Sequence, residues 1–300
     1  MPGEGVVFYN LGVKCLPRLA VAMVSCRKHY RGPATLIHAG VEGMEDACQI
    51  ARSADVDFKR VDFNIPPGKN VALLGKTLLH TVTPYDVSVF LDADTLTRWS
   101  FPEYFVAARD CEFAVPAFAD WKTSGSVWRR IKQWRGIVPP DWIAAALHFG
   151  PAVNTGTFAF RKDSSLQREI YKLALQAREF FIPDEIGVQV LLPRFPHKIM
   201  PQEFNESCKY GRPYSARARI VHYHGRKHCR LAPLSESREC STVHADLGRT
   251  RFLNASDLWL TAFEEVRDWP VVARHIQDDA QLRMALPIWD NSRKEKANAT

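Results

Sequence analysis

The chain has 300 residues, of which 46% are hydrophobic and 24% are charged, so it can bury a large core and is too apolar to be disordered. It has no uninterrupted apolar run of about 18 residues, which argues against a membrane-spanning helix. A net charge of +7 favours anionic partners such as nucleotide diphosphates, nucleic acid or acidic lipid. The alternative is a modestly basic soluble protein whose net charge reflects no particular partner.

Two features predict a cytoplasmic location. The N-terminal segment lacks the basic and apolar regions of a signal peptide. The seven cysteines are scattered, and none has the C-x-x-C spacing of a zinc or redox motif. We therefore expect reduced thiols in a soluble, cytoplasmic protein.

The first hundred residues alternate between strand and helix patterns. Short apolar runs predict strands at residues 6–9, 34–39, 58–63 and 87–91. Apolar residues at helical spacing predict helices at residues 16–29, 44–54 and 71–82. This alternation predicts an α/β fold with a mainly parallel central sheet flanked by helices, which binds ligands at the carboxyl ends of its strands.

The remainder of the chain is less regular. Strands are predicted at residues 113–118, 153–160 and 219–224. Helices are predicted at residues 166–181, at residues 186–192, and from residue 258 onward with a break at Pro270. Because no Gly/Ser-rich linker interrupts the chain, we expect one domain over residues 1–250 and a C-terminal helical extension over residues 251–300.

Two aspartates follow the apolar strand at residues 87–91. Asp92 and Asp94 form a D-x-D motif, and alternate residues of an extended strand end face the same way. Both carboxylates can therefore bind one hard divalent cation such as Mn²⁺ or Mg²⁺, which also accepts phosphate oxygens. The alternative is a solvated turn in which an aspartate caps the next segment.

Four stretches resemble the glycogenin-like family 8 glycosyltransferases in the same order. They are VALLGKTLLHTVTPYDVSVFLDADTLT (residues 71–97), VNTGTFAF (153–160), PDEIGVQVLL (183–192) and IVHYHGRKH (220–228). The resemblance implies a GT-A, or nucleotide-diphosphosugar transferase, fold. It also implies a metal-dependent transfer of a sugar from a nucleotide-sugar donor, a UDP-sugar in particular, with retention of configuration.

The same resemblance assigns roles to individual residues. It implies that His222 joins Asp92 and Asp94 as a metal ligand. It places Asn154 and Asp184 around the donor sugar and the reaction centre. The donor-binding residues that it implies are Tyr9 and Asn10 near the base, Lys76 and Asp92, and Gly225 and Lys227 at the diphosphate.

This chain departs from the family pattern at three places. Thr155 replaces the usual serine, and Glu185 replaces the glutamine that follows the catalytic aspartate, which adds a carboxylate near the sugar. Lys227 lies one residue closer to Gly225 than in the family, so Arg226 can share its contact with the diphosphate. If Glu185 acts as a base, the transfer can instead invert the configuration.

Several of these residues have other interpretations. Lys76 can be a solvated helix lysine, Asn154 can satisfy a turn, and Asp184 can cap the helix that follows Pro183. A structural zinc site is a further alternative, although its spacing fits no standard motif. Its candidate ligands are His222, His224, His228 and Cys229, with Cys208 or Cys240.

A basic segment rich in tryptophan lies at residues 120–142. Its candidate acceptor contacts are Trp121, Trp128, Arg129, Arg130 and Trp134, and Trp142, Lys122, Lys132 and Arg135 complete the pattern. Aromatic faces stack on sugars or bases and arginine pairs with phosphate, so a nucleic-acid acceptor is one possibility. The alternative is an amphipathic helix with tryptophans packed on the sheet and arginines in solvent.

The predicted function is glycosyl transfer from a nucleotide sugar to an acceptor that is a protein, a glycan, a small molecule or nucleic acid. One alternative is a glycosyltransferase that acts on modified nucleic-acid bases, which the net charge of +7 favours. A nucleotidyltransferase on a similar sheet is disfavoured because residues 10–17 form no Gly-rich phosphate loop. A non-catalytic nucleic-acid-binding module would not need two carboxylates at a strand end.

Overall fold

The computed structural model of the protein describes residues 3–119, 125–207, 214–223, 252–253 and 255–277, with further positions between 279 and 291. The first half contains the strands β1 (Glu4–Leu11), β2 (Ala34–Ala39), β3 (Asp57–Val61), β4 (Val87–Leu91) and β5 (Thr95–Thr97). Its helices are α1 (Leu16–His29), α2 (Met44–Ser53), α3 (Val71–Thr77), α4 (Leu79–Val82) and α5 (Pro102–Cys111).

The second half of the chain completes the sheet and adds smaller ones. Its strands are β6 (Phe113–Ala119), β7 (Ala152–Val153), β8 (Thr157–Arg161), β9 (Lys198–Met200), β10 (Glu206–Ser207), β11 (Tyr214–Ser215), β12 (Ile220–His222) and β13 (Phe252–Leu253). Its helices are α6 (Gly125–Gln133), α7 (Pro140–His148), α8 (Ser165–Gln176), α9 (Pro183–Leu191), α10 (Ala255–Phe263) and α11 (Pro270–His275).

An eight-stranded sheet in the order β3-β2-β1-β4-β8-β6-β7, with β9 paired to β6, forms the centre of the molecule. β7 and β8 run opposite to the other strands, so the sheet is mixed although most of its strands share one direction. A three-stranded sheet, β10-β12-β5, lies beyond the carboxyl end of β4 and places His222 opposite Thr95. This second sheet brings β12 to the D-x-D motif.

Both faces of the central sheet are covered by apolar side chains. Along β1, Val6 and Phe8 point into one core cluster, whereas Val7 and Tyr9 point into the other. Successive strand residues face opposite sides, so helices are needed on each side of the sheet. The burial of both faces explains why these strands are short, nearly continuous apolar runs.

The C-terminal helices belong to the core rather than standing apart from it. Trp259, Leu260 and Phe263 of α10 are at most 3% exposed and lie in the same cluster as Leu19 and Met23 of α1. The predicted extension therefore packs on the domain. Within the described part of the chain, no helix is both long and apolar enough to cross a bilayer. None of the four cysteines described there forms a disulfide.

The structure differs from the sequence prediction in several elements. The single helix predicted over residues 71–82 is wrong, because α3 and α4 are separate helices that meet at Leu78. The strand predicted over residues 153–160 is two strands, β7 and β8, which lie on opposite sides of β6. β5, α5, α7 and β9 were not predicted. The helix break predicted at Pro270 is confirmed, because α10 ends at Phe263 and Pro270 is the first residue of α11.

Candidate active site

The D-x-D turn at the carboxyl end of β4 is held from two sides. The N–H of Asp92 donates to the carbonyl of Gly156 at 2.9 Å, and the hydroxyl of Thr95 donates to the carbonyl of Asp92 at 2.7 Å. The carbonyl of Asp94 accepts from the N–H of Tyr223 at 2.9 Å. These bonds fix the backbone that carries both carboxylates.

Three potential metal ligands converge at this turn. Asp92, Asp94 and His222 each offer an atom, and these atoms lie within 4.8 Å of one another. The Nε2 of His222 is 3.2 Å from the Oδ1 of Asp94. The His222 ring packs against Gly156, where a side chain would overlap it. Two carboxylates and one imidazole form a donor set that suits Mn²⁺.

Negative charge at this site shapes the titration of the histidine and of Asp92. Burial lowers the pKa of His222, but the carboxylates of Asp94 and Asp92 together outweigh burial and raise it. Burial and the adjacent Asp94 raise the pKa of Asp92, partly opposed by Lys76. A divalent cation would relieve the repulsion between the two carboxylates.

Lys76 links the D-x-D turn to the start of α9. It is only 4% exposed, and its Nζ lies 3.2 Å from Asp92 Oδ2, 3.3 Å from Asp184 Oδ2 and 3.2 Å from the hydroxyl of Thr155. The alternative that Lys76 is a solvated helix lysine is therefore wrong. Burial lowers the pKa of Lys76, but Asp92 and Asp184 outweigh burial and raise it, so the lysine stays charged.

Asp184 is a buried carboxylate of which only one oxygen has a hydrogen-bond partner among the described residues. Its Oδ2 accepts from the hydroxyl of Thr155 at 2.9 Å. Its Oδ1 is buried and has no hydrogen-bond partner among the described residues. The cap position of α9 is Ile182, so the alternative that Asp184 serves as the helix cap is wrong. A buried acceptor without a partner is costly and indicates a site for a ligand donor.

Asn154 and Glu185 form a second polar pair in the site. The Nδ2 of Asn154 donates to Glu185 Oε2 at 2.5 Å. Its Oδ1 accepts from the N–H of Gly156 at 2.9 Å and from the Nδ2 of Asn205 at 2.7 Å. The turn interpretation of Asn154 is thus correct for its oxygen, while its nitrogen serves Glu185. Asn205, which sequence reasoning missed, fixes the orientation of Asn154.

The pKa of Glu185 is higher than that of an ordinary glutamate. Removal from water and the neighbouring charge of Asp184 raise its pKa to about 7, against the opposing effects of Arg130 and Lys76. The Oε1 of Glu185 lies 3.9 Å from a guanidinium nitrogen of Arg130. A carboxyl group with a pKa near neutrality is suited to exchange a proton with a substrate.

The two residues predicted to lie near a nucleotide base face inward. The phenol of Tyr9 is buried and packs against Gly75, next to Lys76. The side-chain nitrogen of Asn10 donates to the carbonyl of Gly12 at 2.8 Å and lies 3.1 Å from Nδ1 of His38. Neither side chain joins the carboxylate group around Asp92.

The basic segment contributes differently from residue to residue. Arg130 reaches Glu185, whereas Arg129 is exposed on α6. Trp134 is 1% exposed and packs in the core, so this tryptophan follows the amphipathic-helix alternative. The other predicted contacts Trp121, Gly225, Arg226 and Lys227 lie outside the described residues. For Trp128, only the backbone is described. The alternative zinc ligands His224, His228, Cys208, Cys229 and Cys240 also lie outside them.

Comparison with known proteins identifies the fold. No family model and no curated protein matches the chain. Among solved structures, the galactosyltransferase LgtC with donor and acceptor sugar analogues matches at a TM-score of 0.56 and 14% identity, over 89% of this chain and 97% of that chain. The bifunctional glycosyltransferase WbbM matches at a TM-score of 0.57 and 11% identity, over 91% of this chain and 52% of that chain.

A third solved structure, mouse xyloside xylosyltransferase 1, matches at a TM-score of 0.51 and 12% identity, over 74% of this chain and 98% of that chain. At these identities the likeness concerns the fold. The chain therefore has the GT-A fold of glycosyltransferases, as the sequence resemblance predicted.

Proposed function

We propose that this protein is a metal-dependent glycosyltransferase that moves a sugar from a nucleotide-sugar donor, a UDP-sugar in particular, to an acceptor. One observation carries the proposal. The ligand atoms of Asp92, Asp94 and His222 come together beside the buried pair Lys76–Asp184, at the carboxyl end of a strand in a GT-A fold. In α/β sheets this edge is where ligands bind.

The donor set suits a divalent ion, Mn²⁺ or Mg²⁺. Asp92 and Asp94 offer hard carboxylate oxygens and His222 offers an imidazole nitrogen, all within 4.8 Å of one another. When bound, such an ion neutralises the charge of a departing diphosphate. Gly225, Arg226 and Lys227 remain predicted contacts of that diphosphate.

The other residues orient the donor and the acceptor. Lys76 holds the Oδ2 of Asp184 at 3.3 Å, which leaves the buried Oδ1 to accept a hydrogen bond from a hydroxyl of the donor sugar. Asn154 holds Glu185 at 2.5 Å beside it. The sequence resemblance favours retention of configuration. If Glu185 takes the proton of the acceptor, inversion follows instead.

The first test measures nucleotide release from a panel of nucleotide sugars with Mn²⁺, with Mg²⁺ or with EDTA. We expect release from at least one donor that EDTA abolishes and Mn²⁺ restores. Asp94→Asn should lower the rate by a factor of at least about 100, since it removes a ligand from the cation. Asp86→Asn is the matched control, because Asp86 is exposed at the opposite end of β4.

Two results would contradict the proposal. Nucleotide release that continues undiminished in EDTA would rule out the metal, and full activity in Asp94→Asn would remove the D-x-D turn from the mechanism. Equal loss in Asp86→Asn would assign the effect to folding rather than to the site.

A further inference from the structure

An exposed aromatic side chain lies at the rim of the candidate active site. Phe181 is 58% exposed although it immediately precedes the turn into α9. The next residue, Ile182, has φ 48° and ψ 59°, a left-handed conformation that β-branched residues rarely adopt. The partly buried side chain of Ile182 packs against the core, which fixes this turn. The chain thus holds Phe181 outward three residues before Asp184.

Arg130 connects this ring to the interior of the site. Its guanidinium carbon lies over the Phe181 ring, 4.7 Å from the centroid, in a cation–π contact. A nitrogen of the same guanidinium lies 3.9 Å from Glu185 Oε1. A continuous path therefore runs from the exposed ring through Arg130 and Glu185 to Asn154, where the sugar is expected to react.

The charges along this path favour an uncharged ligand. Glu185 faces Arg130, and Asp184 faces the ammonium group of Lys76 at 3.3 Å, so each positive side chain along the path already has an acidic neighbour. A phosphate group would add negative charge to a path whose cations already face carboxylates, which is unfavourable. A pyranose has a face of C–H groups that stacks on an aromatic ring and hydroxyls that bond to carboxylates, so it fits both ends.

We propose that Phe181, Arg130 and Glu185 form the acceptor subsite, and that the acceptor is an uncharged carbohydrate. Phe181 stacks on the acceptor sugar, Arg130 holds Phe181 and Glu185 in register, and Glu185 accepts a hydrogen bond from the reacting hydroxyl. This proposal rests on the proposed glycosyltransferase function and names the substrate class at the same site. It replaces the nucleic-acid acceptor by a neutral glycan.

The experiment separates donor hydrolysis from transfer. Nucleotide release is measured with the nucleotide sugar alone, with a panel of neutral monosaccharides and methyl glycosides, and with single-stranded oligonucleotides. We expect a neutral sugar to stimulate release by the wild-type protein. Phe181→Ala should raise the acceptor KM by about tenfold or more and leave donor hydrolysis within about twofold, because the ring is the stacking surface for the acceptor and reaches Glu185 only through Arg130.

Two further variants sharpen the result. Phe181→Trp should keep the acceptor KM near the wild-type value, since it preserves the stacking surface. Trp99→Ala is the matched control, because Trp99 is a similarly exposed aromatic at 52% whose ring contacts His29 and Arg98 rather than Arg130 or Glu185. It should change neither rate.

The outcomes distinguish this proposal from the proposed function. An unchanged acceptor KM in Phe181→Ala, or equal losses of hydrolysis and transfer, would overturn the subsite. Stimulation by oligonucleotides but by no neutral sugar would overturn the carbohydrate class while keeping the enzyme activity. Absence of donor hydrolysis in the wild type with every nucleotide sugar and metal would overturn the proposed function itself and the subsite with it.

Discussion

The ring of His222 lies directly over Gly156, and this close approach positions the histidine of the candidate metal site. A Cβ at position 156 would overlap the imidazole, so the ring can occupy its place beside Asp94 only with glycine there. The same residue accepts the N–H of Asp92 through its carbonyl at 2.9 Å. Because Gly156 has no side chain, it leaves room for the His222 ring, and its carbonyl holds the backbone of Asp92.

We therefore predict that Gly156→Ala weakens Mn²⁺ binding about 10–100-fold, the usual effect of disturbing groups that orient metal ligands. Calorimetric titration with Mn²⁺ in the absence of donor measures this directly. The matched control is Gly68→Ala, since the nearest atom to a Cβ there is 3.9 Å away. Equal Mn²⁺ affinities for wild type and Gly156→Ala would show that His222 is not a ligand.

Glu185 carries a cost in stability that comes from its position in the site. Burial and Asp184 raise its pKa from 4.5 to about 7, while Arg130, Lys76 and the amide of Asn154 oppose that rise. Between pH 4.5 and about 7 the unfolded chain releases this proton more readily than the folded chain. Folding stability therefore falls as the pH rises through this window, by about 3 kcal/mol in total.

Replacing Glu185 by glutamine should remove this cost. We expect Glu185→Gln to be more stable than the wild type by about 3 kcal/mol at pH 8, and the difference should shrink as the pH falls from 7 toward 4.5. Urea unfolding at pH 5 and pH 8 checks the prediction. Glu169→Gln, at a half-exposed position on α8, serves as the control. A difference of equal size at both pH values would mean that the titration of Glu185 is not its cause.

At the scale of elements, local patterning accounts for the strands and helices that have one uniform environment. The predicted bounds of α1, β2 and β4 agree with the structure, because each is a continuous apolar or helical run. The pattern failed where tertiary contacts divide such a run. The apolar segment between β7 and β8 is interrupted by Asn154, Thr155 and Gly156. The side chain of Asn154 binds Glu185, that of Thr155 binds Asp184, and the carbonyl of Gly156 binds the D-x-D turn.

Some residues of the candidate site could be predicted from the sequence, and others could not. The meeting of Asp92, Asp94 and His222 could be anticipated, because strand-end carboxylates and the family resemblance both point to one edge of the sheet. Asn205 and Phe181 could not, because nothing in their local sequence marks them and their roles come from contacts with distant elements. Trp134 shows the converse, since a tryptophan in a basic segment is buried in the core.

Helix α1 connects the D-x-D turn to the C-terminal part of the molecule. The hydroxyl of Ser25 on this helix accepts a hydrogen bond from the N–H of Thr97 in β5 at 3.1 Å, and β5 directly follows the D-x-D turn. On its other side α1 packs against α10 and α11. The C-terminal helices thus stabilise the helix on which β5 rests, so their removal would disturb the site although they are distant from it in sequence.

A buried ion pair joins these parts, and its loss gives the final prediction. The Nε of Arg18 on α1 lies 3.0 Å from Oδ2 of Asp279, and the two side chains are 7% and 1% exposed. Burial lowers the pKa of Arg18, but Asp279 outweighs it and the nearby Asp94 adds to the rise. Asp279→Asn leaves a buried guanidinium without its main counter-charge, so it should lower the free energy of unfolding by about 3–5 kcal/mol.

Urea unfolding measures this loss. The control is Glu169→Ala, which breaks the exposed pair with Lys172 and should lower the free energy of unfolding by less than about 1 kcal/mol. The double variant Arg18→Met/Asp279→Leu should recover most of the stability, because it removes both charges and keeps apolar volume. A loss below about 1 kcal/mol in Asp279→Asn would show that the C-terminal helices are not anchored to α1 by this pair.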